Sequence, residues 1–298
     1  MKTIGSLCVF CIVFTLNAFS QKTIEAEKII SMIDNGKEVQ LENVTIKGAL
    51  EFVKVRNREA KNKSLFGTDT YHCYVKVPVS FRNCTFRDDV VAYYKDESDD
   101  NLYNAMFRED VIFRNCTFDG DALFKYSKFD KQSDFSESQF GEEALFKYTK
   151  FSKEGLFRDC LFEEDANFKY ARFTRNGNFD NSEFSEEANF KYSKFKENAA
   201  FNEVSFSEVA TFKYTEFEEY VSFSGSDFNR EANFKYTKFP DGVSFEKVVF
   251  KGEANFKYTK FYNPLKMVGV DFGNNTNFEY TKYENKDFTE YLVEKKLK

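Results

Sequence analysis

The chain has 298 residues, a formal charge of −6, 39 Phe and 17 Tyr but no Trp and a single His. So many aromatics argue against a disordered chain, and 31% charged residues argue against a membrane protein. One His argues against a His-rich metal site or a His-paired catalytic apparatus.

Residues 1–20 (MKTIGSLCVFCIVFTLNAFS) have a short basic start at Lys2, an apolar run from Ile4 to Leu16, and small residues Ala18 and Ser20 before Gln21. This pattern predicts a cleaved secretory signal peptide and no membrane span in the mature chain. A lipoprotein signal is disfavoured because Leu7 and Phe10, not small residues, precede Cys8 and Cys11. Residues 21–43 are expected to form an N-terminal cap built on a helix over 23–35. Thr23 would cap it, Gly36 would end it, and Ala26, Ile29, Ile30 and Ile33 would form its apolar face.

A repeat dominates the rest of the chain. Phe-Lys-Tyr begins at 124, 146, 168, 190, 212, 234 and 256, and Phe-Glu-Tyr at 278, a period of 22 without a slip. Within it, aromatics recur in steps of 5 and 6. Of 31 rungs from Phe113 to Phe278, thirty are Phe and one is Met267. In a helix such steps scatter around the axis, and in one strand a step of five changes face. A chain that turns a corner at each step keeps every Phe inside, which predicts an all-β solenoid of four-sided coils. Ala122, Ala144, Ala166, Ala188, Ala210, Ala232 and Ala254 lie two residues before the first Phe of each coil, also inward.

Units such as Ala166-Asn167-Phe168-Lys169-Tyr170 and Ala232-Asn233-Phe234-Lys235-Tyr236 resemble the pentapeptide-repeat family. The resemblance is strong over about 105–284 and weaker over 68–94. It implies a right-handed quadrilateral β-helix. The chain departs from the family pattern by one extra residue in alternate units, so two of the four corners should be widened. The solenoid is expected over 44–284, with residues 44–52 as its first side. A basic insertion is expected near 53–67 and an acidic one near 95–104. The acidic run reads as a solvated loop, with a calcium site as the sharper alternative. Residues 285–298 form a tail or capping helix. Phe288, Tyr291 and Leu292 would cover the open end or join a second chain as a homodimer.

Mature cysteines 73, 84, 116 and 160 fall in an export-permissive context. Cys84, Cys116 and Cys160 occupy a position that is Ser138, Ser182 and Ser226 in other coils. They read as small buried side chains, with a Cys84–Cys116 bridge as the alternative.

The chemistry must lie outside the coil. One basic column comprises Lys125, Lys147, Lys169, Lys191, Lys213, Lys235 and Lys257. A second comprises Lys128, Lys150, Arg172, Lys194, Lys238, Lys260 and Lys282, with Glu216 in its middle. Between them runs an unbroken Tyr column: Tyr126, Tyr148, Tyr170, Tyr192, Tyr214, Tyr236, Tyr258 and Tyr280. Acid gathers before the Ala column, at Glu142, Glu143, Glu164, Asp165, Glu186 and Glu187, so the rod should be electrically two-sided. The columns read either as stabilisation copied by tandem duplication or as a binding ridge. As a ridge they suit an anionic polysaccharide, lipopolysaccharide, nucleic acid whose bases stack on Tyr, or another envelope protein.

Catalysis has little support. His72 falls in the Tyr column of an early coil, and its neighbour Cys73 points inward. No cofactor motif or metal-ligand spacing is present. The expected function is a non-enzymatic exported scaffold or binding module of the cell envelope. The family resemblance implies a second reading, a DNA mimic that protects topoisomerases. A surface-assembly or adhesin subunit is a third.

Overall fold

The computed structural model describes residues 22–62, 69–273 and 275–295. The export signal expected at 1–20 lies outside the described residues. Among these residues no helix is long and apolar enough to cross a membrane.

The chain winds as a four-sided β-solenoid. Three sides are ten-stranded sheets and the fourth has thirteen strands. In chain order from the Ala column, side I carries Ala122–Leu123 and its copies, and side II Lys128–Phe129. Side III carries Ser133–Asp134, and side IV Gln139–Phe140. Each regular strand pairs in parallel with the strand 22 residues on, as in Ala144↔Ala166 and Phe151↔Phe173. The coil spacing is therefore the strand spacing, and it puts equivalent Phe in stacking range. Phe168, Phe190 and Phe212 lie 5.0 Å apart with rings within 3° of parallel. Rings on adjoining sides meet edge-on, as with Phe168 and Phe179 at 88°. This alternation of stacked and T-shaped contacts fills the cross-section with ring geometries that aromatic quadrupoles favour.

The inward position two residues before each Phe is mostly small, though Val221 and Val243 fill it on side III, and at two coils the structure shows why. A Cβ added at Gly155 or Gly177 would meet the ring of Phe173 or Phe195 at 2.8 or 2.7 Å. On sides II and IV the small position is often a hydroxyl. Thr149, Thr215, Thr237 and Thr259 donate to the carbonyls of Phe124, Phe190, Phe212 and Phe234 at 2.7–2.8 Å. Ser138, Ser182 and Ser226 do the same on side IV. The Cys160 thiol takes that role toward the Phe135 carbonyl at 3.1 Å, so cysteine here replaces serine in kind. All four described cysteines are buried free thiols, and Cys84 and Cys116 are not bridged. Burial pushes the Cys73 thiol up to about 11 and the Cys116 thiol well above its usual range.

The corners divide as the 5-and-6 rhythm predicts. Two are tight, at I/II and III/IV, with two outward residues, the second at positive φ. The other two carry three residues.

The ends depart from the sequence reading in places. The N-terminal helix, α1, spans Ala26–Asp34, not 23–35. Thr23 does not cap it: Lys22–Glu25 is extended and pairs in register with Val44–Lys47, adding a strand under side IV. The N-cap is Glu25, without a side-chain cap bond. Gly36 does end the helix, at φ +68°, and Ala26, Ile29 and Ile33 are buried. The coil begins at Val39 rather than 44, because Val39–Glu42 aligns with Val79–Arg82 on side III. Both insertions are hairpins on side II rather than plain loops. Arg58–Asn62 pairs antiparallel with Thr70–Val75, and Tyr93–Lys95 with Leu102–Phe107. At the other end helix α2, Phe288–Glu294, is capped by the Asp287 side chain. It buries Phe288 against Phe261 and Phe278 at 4.8 and 5.1 Å.

Phe190 sits in the middle of this stack and is fully buried. Phe190→Ala should cost about 3–5 kcal/mol in denaturant melts, while Lys191→Ala next to it should stay within about 0.5 kcal/mol. Equal losses would mean that inside and outside have been exchanged.

Candidate functional site

The tight I/II corner makes the ridge. Each is a turn such as Phe124-Lys125-Tyr126-Ser127, closed by Ser127 N–H donating to the Phe124 carbonyl at 3.0 Å. The third residue of the turn must adopt a left-handed backbone. All eight Tyr do so, at φ between 58 and 63°. Glycine and asparagine adopt that conformation most readily, and other L-residues lose about 1–2 kcal/mol there. The diagonal III/IV corner makes the same turn with Asn115, Glu137, Asp159, Asn181, Glu203, Gly225, Lys247 and Gly269. Two turns of one geometry, copied together, have had different outcomes: one varies and one does not.

Ring stacking offsets the strain. Tyr148, Tyr170, Tyr192 and Tyr214 stack at 4.7–5.0 Å with rings within 6° of parallel. Each added coil brings one strained residue and one stacked pair worth about 0.5–1.5 kcal/mol. The two nearly cancel, so stability gives Tyr little advantage over Asn or Gly. Tyr192→Ala should therefore lose about 1–3 kcal/mol by breaking two stacks. Tyr192→Gly should lose roughly 1 kcal/mol less, because it relieves the left-handed backbone. Denaturant melts of the two variants read the strain directly.

The stacking also corrects one expectation. Both faces of Tyr192 are occupied, by Tyr170 and Tyr214. A base or sugar cannot enter a gap already closed at stacking distance, so the ridge offers ring edges and hydroxyls instead. Among the described residues, the hydroxyls of Tyr148, Tyr170, Tyr192, Tyr214, Tyr236 and Tyr258 have no protein hydrogen-bond partner.

The two basic columns flank the Tyr edges on different sides of the rod. The Lys125 column ends side I. Lys147, Lys169, Lys191, Lys213 and Lys235 each fold their ammonium to 5.2–5.5 Å from the centroid of the next Tyr. Among the described residues none of these five has a carboxylate partner, whereas Lys257 pairs with Glu279. Burial, then the lysines one coil away, hold Lys147 and Lys213 below the usual lysine range. The Lys128 column lies on side II and is partly neutralised: Lys128 pairs with Asp130, and Lys194 with Glu216 and Glu218. Lys150, Arg172, Lys238 and Lys260 are exposed.

The acid is closer than a two-sided rod implies. Glu142, Glu143, Glu186 and Glu187 occupy the wide IV/I corner, so acid and base edge the same side, four residues apart at Glu187 and Lys191. Burial, then Asp121 and Asp165 in adjoining coils, raise the Glu143 carboxyl. A carboxyl raised by folding destabilises the fold when ionised, and stability is lost as pH climbs through its folded value. Glu143→Gln should raise the melting temperature at neutral pH and flatten the pH profile just above the usual glutamate range. An unchanged profile would contradict the repulsion.

A groove about 1090 Å³ in volume runs along side II beside Tyr192–Tyr280. Its far wall includes Pro240 and Tyr262, which the repeat pattern does not single out. They fall in one column that also carries Asp130, Ser152, Thr174, Lys196 and Glu218, so no periodic signal in the sequence marks them. His72 aligns with Asn104, and Asn104 bonds the Tyr126 carbonyl, while Cys73 is buried. The two make no nucleophile pair. No group of acidic, His or Cys residues that could hold a metal occurs among the described residues, the 95–104 insertion included.

The pentapeptide-repeats family model matches in nine copies, among them residues 102–150, 146–194, 190–238 and 212–260. The chain belongs to the pentapeptide-repeat family. Neither the curated proteins nor the solved structures yield a match.

Proposed function

We propose that this pentapeptide-repeat protein is a non-catalytic, exported rod of the cell envelope that holds an extended polyanion or anionic glycan along its Lys/Tyr ridge. The carrying observation is the contrast between the two tight corners. Tyr persists in eight of eight coils at a strained position where the diagonal corner accepts Asn, Asp, Gly, Glu or Lys. Five successive lysines without carboxylate partners lie beside it at strand spacing, where each repels the next. A ligand carrying regularly spaced anions would relieve that repulsion. The apolar run at 4–16 supports export. A DNA mimic needs an acidic surface, and the ridge is basic. An adhesin needs open ends, and α1 and α2 bury apolar side chains at both ends.

The test is binding to anionic glycans and to single-stranded DNA across a salt series. Affinity should fall log-linearly with salt as counterions are released. Reversing Lys169, Lys191 and Lys213 to Glu should weaken binding strongly with the melting curve intact. Reversing Glu164, Glu186 and Glu187 to Lys should weaken nothing. Equal binding by all variants, or none at low salt, would leave the rod purely structural.

A further inference from the structure

The side II groove narrows the ligand class, an inference that rests on the polyanion-binding function proposed for the ridge. It spans five Tyr rungs, Tyr192 to Tyr280, or four coil steps of about 4.8 Å, roughly 19 Å in all. The strands beneath it, Glu216–Phe217, Lys238–Phe239 and Lys260–Phe261, are paired on both sides. No backbone edge is open, so a peptide cannot add to the sheet as a strand. The groove runs across the strands, along the rod axis, and a ligand lying in it meets side chains once per coil.

That periodicity discriminates. An extended peptide presents same-face side chains about every 6.6 Å and falls out of step with coils about 4.8 Å apart. A single-stranded nucleic acid draws its affinity largely from base stacking, and the Tyr faces are closed to bases. A 1,4-linked pyranose chain advances by close to one coil per sugar, so even where alternate sugars turn over it returns to the same face in step with every second coil. The groove presents one charged group per coil, Glu216 and then Lys238, Lys260 and Lys282. Lys238, Lys260 and Lys282 have no carboxylate partner among the described residues and face anions. Glu216 and Glu218, held by Lys194, accept hydrogen bonds from sugar hydroxyls, which a polyphosphate lacks. Tyr262, partly exposed, contributes to the far wall.

We infer that the groove binds a carboxylated 1,4-linked glycan, a polyuronate, lying parallel to the rod axis with one sugar per coil.

The test uses the full chain and 1,4-linked oligouronates of increasing length, with neutral cello-oligosaccharides, inorganic polyphosphate and poly(dT) as comparators. Affinity for the uronates should rise with length and level off near about five sugars, one per rung. The pair Lys238→Glu and Lys260→Glu should weaken binding roughly ten-fold or more, and Lys238→Gln with Lys260→Gln somewhat less. The pair Lys131→Glu and Lys153→Glu, exposed on a wide corner away from the ridge and the groove, should leave the plateau where it is. Melting curves of each variant separate lost binding from lost fold. Polyphosphate or poly(dT) binding as tightly, without a plateau, would overturn the groove inference and leave the ridge a general polyanion surface. Equal losses from the Lys131/Lys153 pair would mean that positive charge anywhere on the rod suffices and would also overturn it. No binding by any probe at low salt would remove both readings.

Discussion

Everything in this rod depends on one coincidence of lengths. Hydrogen-bonded parallel strands lie about 4.8 Å apart, and phenyl rings stack offset at nearly the same centroid separation. Backbone pairing and ring stacking therefore share one repeat, and each coil satisfies both at once. Phe168 over Phe190 at 5.0 Å is the typical case, with the neighbouring Phe168 N–H bonded to the Asn189 carbonyl at 2.8 Å. Once that repeat is set, the outside has no freedom to choose another. Lysine falls above lysine and tyrosine above tyrosine, whatever their mutual repulsion or strain.

The interior was legible because it obeys this single rule. The step of 5 and 6 between Phe residues identified the corners, and the small residue before each Phe identified the second inward position. Elements governed by other rules were less legible. Thr23 looked like a helix cap because local propensity favours it there, but register with Val44–Lys47 draws residues 22–25 into a strand. The insertions looked like loops because their polarity gives no sign of pairing, yet strands already formed on side II supply partners for hairpins.

The ridge was legible as a pattern and not as a geometry. The sequence shows Tyr and Lys in columns, but only the structure shows that the Tyr faces are consumed by one another. That single fact removes base stacking and turns an aromatic surface into a row of hydroxyls and ring edges. The groove was illegible for the opposite reason. Pro240 and Tyr262 stand in a column whose residue changes from coil to coil, so the periodic pattern does not mark them. In so repetitive a chain, the departures from the rule are what make one stretch of the surface differ from the next.

The caps at the two ends have a consequence for how such a rod can vary. Neither α1 nor α2 is part of the repeat, and between them every regular coil meets its neighbours through the same register. Stability then builds up by nearest-neighbour contacts. Gaining or losing a 22-residue unit shifts everything beyond it by one rung without altering any interface. Length is thus a quantised and nearly neutral variable, and the span of the ridge can change by whole coils while both lids still fit.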